Sequence, residues 1–235
     1  MDDPDPTLTR TLVTATTPRG EVALRERGSG TGVVHELVVA GVFAMDSVDT
    51  STEVLLARRS LDLVAEPTRV LVGGLGLGYT ALEVLKDARV RGLDVVEIEE
   101  DLVIWARLGL TPTLGLVARH PRVHLRSADV AAVLTGAADE PVGPWDIVLL
   151  DVDNGPSFLV HAGNAHLYSE ATLTAALSRV APGGILAIWA AQREPALLTR
   201  LRSLAPTEEL IVPVSREGRE FDYALYVARA ATAAS

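Results

Sequence analysis

The chain has 235 residues, 48% of them hydrophobic, a formal net charge of −10 and no cysteine. That length and apolar content suit one full α/β domain with a small appendage and argue against two large domains, while the absent cysteines exclude disulfides, thiolate metal sites and a thiol nucleophile and fit a reducing cytoplasm. The acidity disfavours nucleic acid and anionic membrane as partners, no apolar run reaches the roughly 20 residues of a membrane span, and a cationic ligand or plain solubility accounts equally well for the charge.

Residues Met1 to Pro6, acidic and proline-rich, are the opposite of a leader peptide and are expected to fray. Leu8–Thr16, Glu21–Arg27 and Val33–Phe43 are rich in Val, Leu and Thr and are separated by glycine turns, so three antiparallel strands are expected. Thr50 precedes Glu53 by three positions ahead of an apolar helical pattern, which reads as a capped helix start.

From Arg69 onward the pattern alternates. Strands are expected at Val70–Val72, Leu93–Ile98, Val123–Arg126, Asp146–Leu150 and Ile185–Ala190, with helices over Thr80–Lys86, Asp101–Leu108, Ala171–Val180 and Pro195–Leu204. Glu209–Val214 and Asp222–Val227 close the chain as a hairpin. The fold class is therefore α/β: a Rossmann-like, doubly wound, mostly parallel sheet with an antiparallel C-terminal hairpin, preceded by a small antiparallel sheet. The boundary falls between residues 1–48, the N-terminal β subdomain, and 49–235, the nucleoside-binding domain.

The strongest chemical signal is the run Val70-Leu71-Val72-Gly73-Gly74-Leu75-Gly76-Leu77-Gly78, a strand passing through glycines into a helix. Glycine lets the backbone turn sharply and lets a ligand approach without a Cβ in the way. Gly74, Gly76 and Gly78 have the spacing of S-adenosylmethionine enzymes. Gly76-x-Gly78-x-x-Ala81 also matches a dinucleotide fingerprint, but its glycines begin late after the strand. Glu97 stands 19 residues beyond Gly78, where ribose hydroxyls are held in such folds; Glu99 and Glu100 are alternatives for that role but are expected to face solvent. Asp129 follows the third strand, placed either to accept from an adenine amino group or to cap a helix.

The fourth strand runs into Asp151-Val152-Asp153-Asn154-Gly155-Pro156. Charges at the ligand-binding edge of a buried strand carry a desolvation penalty, so a role at the site is the better reading of Asp151. Asp153, Asn154 and Asp46 are candidates for substrate contact. The histidines are scattered, with no metal-ligand spacing on one helix face, and no metal is expected. His161 and Tyr168 lie in a stretch that could lid the site. Trp105, Trp145 and Trp189 read as packing residues, and no serine sits in a nucleophile-elbow context.

These runs resemble the spermidine synthase (polyamine aminopropyltransferase) family from about Glu36 to Ala190. The resemblance is carried by the glycine loop, Val95-Val96-Glu97-Ile98-Glu99, Asp129, Asp146-Ile147-Val148-Leu149-Leu150-Asp151 and Pro182-Gly183-Gly184. It implies a cytoplasmic homodimeric transferase that moves an aminopropyl group from decarboxylated S-adenosylmethionine, as co-substrate, to a small amine. The glycines would pass under the nucleoside, Glu97 would hold the ribose, Asp129 the adenine, and Asp151 the attacking amine. A methyltransferase using S-adenosylmethionine itself, or a noncatalytic nucleoside-binding relative, is the alternative. The chain departs from the family on the amine side: its second loop aspartate falls on Asn154, its glutamine on Ala44, its Tyr-His-Glu run on Glu53-Val54-Leu55, and its late tyrosine has no equivalent near Val214.

Overall fold

Every second residue of the central strands packs on a different face. In the computed structural model, which describes residues 9–28, 32–152, 155–159, 161–216 and 219–232, strand β5 (Arg69–Gly73) sends Val70 and Val72 to one side and Leu71 to the other. Strands β6 (Gly92–Glu97), β8 (Trp145–Leu150) and β9 (Val180–Ala190) divide in the same way. Such continuous apolar strands bury both faces, which requires helices above and below the sheet.

Those helices segregate by chain order. Helices α1 (Ser51–Asp62), α2 (Tyr79–Leu85), α3 (Glu100–Leu108) and α4 (Pro112–Arg119) cover the first face. Helices α5 (Val130–Thr135), α6 (Glu170–Arg179) and α7 (Pro195–Leu204) cover the second. With β7 (Val123–Ser127), β10 (Thr207–Arg216) and β11 (Arg219–Arg229), the sheet has the order β10-β11-β9-β8-β5-β6-β7. Strands β7, β6, β5, β8 and β9 run parallel, and β11 is antiparallel to both β9 and β10. The order reverses at β5, which has β6 on one side and β8 on the other. Ligands in open α/β sheets bind beyond the strand ends at such a point.

The N-terminal sheet differs from the sequence expectation. It has four antiparallel strands in a meander, β1 (Thr9–Thr17), β2 (Gly20–Arg27), β3 (Val34–Val39) and β4 (Val42–Asp46). The stretch read as one strand from Val33 to Phe43 folds back at Ala40 (φ 52°) and Gly41 (φ 76°). Two successive positive φ values twist a two-residue turn to match its flanking strands, and alanine masked that signal. Val22, Leu24 and Leu37 of this sheet join the same apolar cluster as α1 to α4. The expected tail Met1 to Pro6, the first residue of the expected strand at Leu8, the loop residues Asp153 and Asn154, and Glu217 and Gly218 of the last turn lie outside the described residues.

Candidate active site

A cavity of about 180 Å³ opens at the carboxyl ends of β5, β6, β7 and β8. Its wall is built from the glycine loop, the ends of β6 and β8, the first turn of α1, a 3-10 helix over Ala162–Tyr168, and the N-terminal sheet, which supplies Leu37, Val39, Ala44 and Met45.

The glycines do different jobs. Gly74 (φ 93°) accepts no side chain, because a Cβ there would stand 2.1 Å from the Asp151 carbonyl oxygen. Gly76 lines the cavity beneath Met45, whose sulfur would lie 2.7 Å from an added Cβ. Gly78, in the left-handed region, starts α2 and faces α4 rather than the cavity. The loop is thus as much a close contact between protein segments as a bed for a ligand.

Glu97 ends β6 with only 7% of its surface exposed. Its Oε2 accepts from the Leu75 amide (2.8 Å) and its Oε1 from the Glu99 amide (2.9 Å). Burial raises the carboxyl above the ordinary range while those amides pull it back. The two amides hold the carboxylate in place at the cavity wall, and a carboxylate oxygen can accept more than one hydrogen bond. Asp129 caps α5, its Oδ1 accepting from the Ala131 amide (2.8 Å), while its Oδ2 lies 3.2 Å from His166 Nε2 and the residue lines the cavity.

Asp151 follows β8 and is partly buried, with Oδ2 accepting from the Thr80 hydroxyl at 2.5 Å. Enclosure raises its carboxyl, and the Thr80 bond opposes the rise. Asp46 does not line the cavity. Its Oδ1 accepts from the Val48 amide (2.9 Å) and its Oδ2 lies 3.9 Å from Arg27, so its described contacts hold the end of β4. His161 and His166 line the cavity, whereas Tyr168 is buried and donates to the Val152 carbonyl (2.8 Å).

Four residues corrected or escaped the sequence reading. Glu99 does not face solvent: it is 4% exposed, lines the cavity, and its Oε2 is buried without a hydrogen-bond partner. Arg19, in the β1–β2 turn, reaches across to it, with Nε 2.7 Å from Glu99 Oε1 and Nη2 2.6 Å from the Ile98 carbonyl. Trp189 is not pure packing, since it lines the cavity with its indole N–H buried and unpartnered. Glu53 is the fourth. Thr50 makes no side-chain cap to α1, Asp49 accepts from the Ser51 amide (3.0 Å) instead, and the Glu53 side chain enters the cavity beside Asp151. Burial first and the Asp151 charge second raise the Glu53 carboxyl to about 7.

No family model matches the chain. It is 27% identical over 134 residues, 56% of its length, to putrescine N-methyltransferase 1 of Nicotiana tabacum. It is 32% identical over 127 residues, 52% of its length, to polyamine aminopropyltransferase 2 of Pseudomonas aeruginosa. A crystal structure of spermidine synthase in complex with the transition state analogue AdoDATO superposes with a TM-score of 0.74 at 19% identity, covering 94% of this chain and 73% of that one. Over about half of its length the chain is similar in sequence to polyamine aminopropyltransferases. It spans about a third of the length of the curated relatives it matches, 33% for the Nicotiana and the Pseudomonas proteins. The mostly parallel seven-stranded sheet with a separate four-stranded antiparallel sheet is the architecture that it shares with the aminopropyltransferase fold.

Proposed function

We propose that the protein transfers an aminopropyl group from decarboxylated S-adenosylmethionine to a small amine. One observation carries this reading. Among the described residues the cavity is lined by five carboxylates, Glu53, Glu97, Glu99, Asp129 and Asp151, and by one arginine, Arg19, which is committed to Glu99. Such a lining favours cations on both sides of the reaction: a sulfonium donor whose tail ends in an ammonium, and an amine acceptor. The carboxylate of ordinary S-adenosylmethionine would meet no free arginine or lysine among the described lining residues.

In this reading Glu97 takes the ribose hydroxyls, Asp129 the adenine edge, and Asp151 anchors the nitrogen that attacks. Displacement at the carbon beside sulfur needs the nucleophile, carbon and leaving sulfur in line. Most of the acceleration then comes from holding two reactants in that alignment. Asp153 and Asn154 are proposed as further contacts to the acceptor.

Incubating the protein with decarboxylated S-adenosylmethionine and a series of diamines is expected to release methylthioadenosine. Silence across the series, with adenosylhomocysteine formed from S-adenosylmethionine instead, transfers the assignment to methyl transfer. That second reading has its own support, the sequence likeness to putrescine N-methyltransferases, and it keeps the same amine acceptor. The expected second copy of the chain would dock through the N-terminal sheet, where Val42 and Phe43 of β4 are 49% and 43% exposed. Sedimentation velocity on wild type and on Phe43→Glu tests this. A monomer in both removes the dimer from the proposal.

A further inference from the structure

We propose that Glu53 is the proton acceptor of the transfer step, a second carboxylate that shares the acceptor amine with Asp151. The inference rests on the amine-transfer reading above and adds a residue that the sequence motifs did not supply.

Position comes first. Glu53 and Asp151 line one cavity from different elements, the first turn of α1 and the loop after β8. Asp151 is occupied by Thr80 on one oxygen, and Glu53 accepts from the Thr52 hydroxyl at 2.8 Å. Neither is paired with a lysine, arginine or histidine among the described residues, since Arg19 is bound to Glu99. The other groups around Glu53 are acidic or already engaged. Asp49, just ahead of α1, adds to the repulsion. On α2, Glu83 is taken by Arg58 and Lys86, each at 2.6 Å. From β11, Tyr223 lies behind Thr52 in a small neighbouring cavity. Two enclosed carboxylates without a counter-ion are unfavourable unless a cation or a proton comes between them.

The chemistry requires such a proton site. An alkylammonium has no lone pair and must lose a proton before it can attack. Glu53 takes that proton, the neutral nitrogen forms a bond to the carbon beside sulfur, and the carbon–sulfur bond breaks with its electron pair going to the thioether. The product leaves as a secondary ammonium, and Glu53 returns one proton to solvent, which balances the step. Raised to about 7 by burial and by the Asp151 charge, the Glu53 carboxyl lies closer to an alkylamine in basicity than an ordinary carboxylate does, which fits it to take the proton while Asp151, held by the Thr80 hydroxyl, anchors the amine.

The test uses Glu53→Gln, which keeps shape and hydrogen bonding and removes the base. 1,4-Diaminobutane is titrated calorimetrically into wild type and variant, with and without methylthioadenosine. Wild-type affinity should rise about tenfold between roughly pH 6 and pH 8 as Glu53 ionises, whereas the variant should bind at least about tenfold more weakly at the upper pH and lose that dependence. Methylthioadenosine should bind both proteins alike. In turnover, kcat of the variant should fall about a hundredfold and lose its limb near neutral pH, with Glu53→Asp restoring part of both. Unchanged diamine affinity and pH response in the variant overturns the proposal while leaving the transferase reading intact. Wild type that binds methylthioadenosine but no diamine overturns it as well. A protein that ignores the nucleoside refutes the donor assignment, and the diamine titration without nucleoside still decides the role of Glu53.

Discussion

At the scale of single residues, the site is held in a costly state, and Glu53 provides a way to measure it. Its carboxyl moves from 4.5 to about 7 in the folded protein. A raised folded value means that the native state binds the proton more tightly than the unfolded chain does. The stability contribution of the protonated group is therefore fully present below about pH 4.5 and is lost as pH rises through about 7. Glu53→Gln removes the penalty, so it should be more stable than wild type by about 3 kcal/mol at pH 8, with the difference vanishing near pH 4.5. Urea denaturation at the two pH values measures this. Equal stability at both would mean that Glu53 is not confined beside Asp151. A stabilising substitution that impairs amine binding is the behaviour expected of a group retained for function. The sequence could not reveal this residue: Thr50 and Glu53 have the spacing of a capping box, and only the tertiary structure frees the glutamate by letting Asp49 bond the first amide of α1.

At the scale of elements, what was legible depended on whether the signal was local. Strands β5, β6 and β8 are short apolar runs with both faces covered, and their composition is sufficient to place them. The glycine loop, Glu97 and Asp151 follow, because each sits at a strand end and position along the chain equals position at the site. Helix α4 was missed since it is only eight residues long and begins at Pro112, with its start marked by Thr111, which accepts from the Leu114 amide. Proline at a first helical position is favourable, but alone it reads as a turn. The N-terminal meander was under-counted because alanine occupies the left-handed position that asparagine or glycine usually announces. Arg19, Glu99 and Trp189 share a different reason. Their part in the cavity depends on which elements fold over one another, with the β1–β2 turn reaching the end of β6, and no spacing rule in one strand or helix encodes that.

At the scale of the whole molecule, a net charge of −10 is ambiguous until its distribution is known. Among the described residues, five acidic side chains converge on one cavity, and charges farther away are screened beyond a Debye length of about 10 Å at 0.1 M salt. The cavity acids, more than the global charge, should therefore set the attraction for a dication. Clefts lined by one sign focus the field and speed the capture of an oppositely charged ligand, and added salt weakens the effect. Raising sodium chloride from about 0.02 M to about 0.2 M should weaken 1,4-diaminobutane binding several-fold, while methylthioadenosine, which is neutral, should change by less than about twofold. The contrast matters more than either value, because both ligands would occupy the same cavity and differ chiefly in charge. If the diamine and the neutral nucleoside respond equally to salt, the carboxylates of the wall do not select for cations, and the acidity of the chain serves only its solubility.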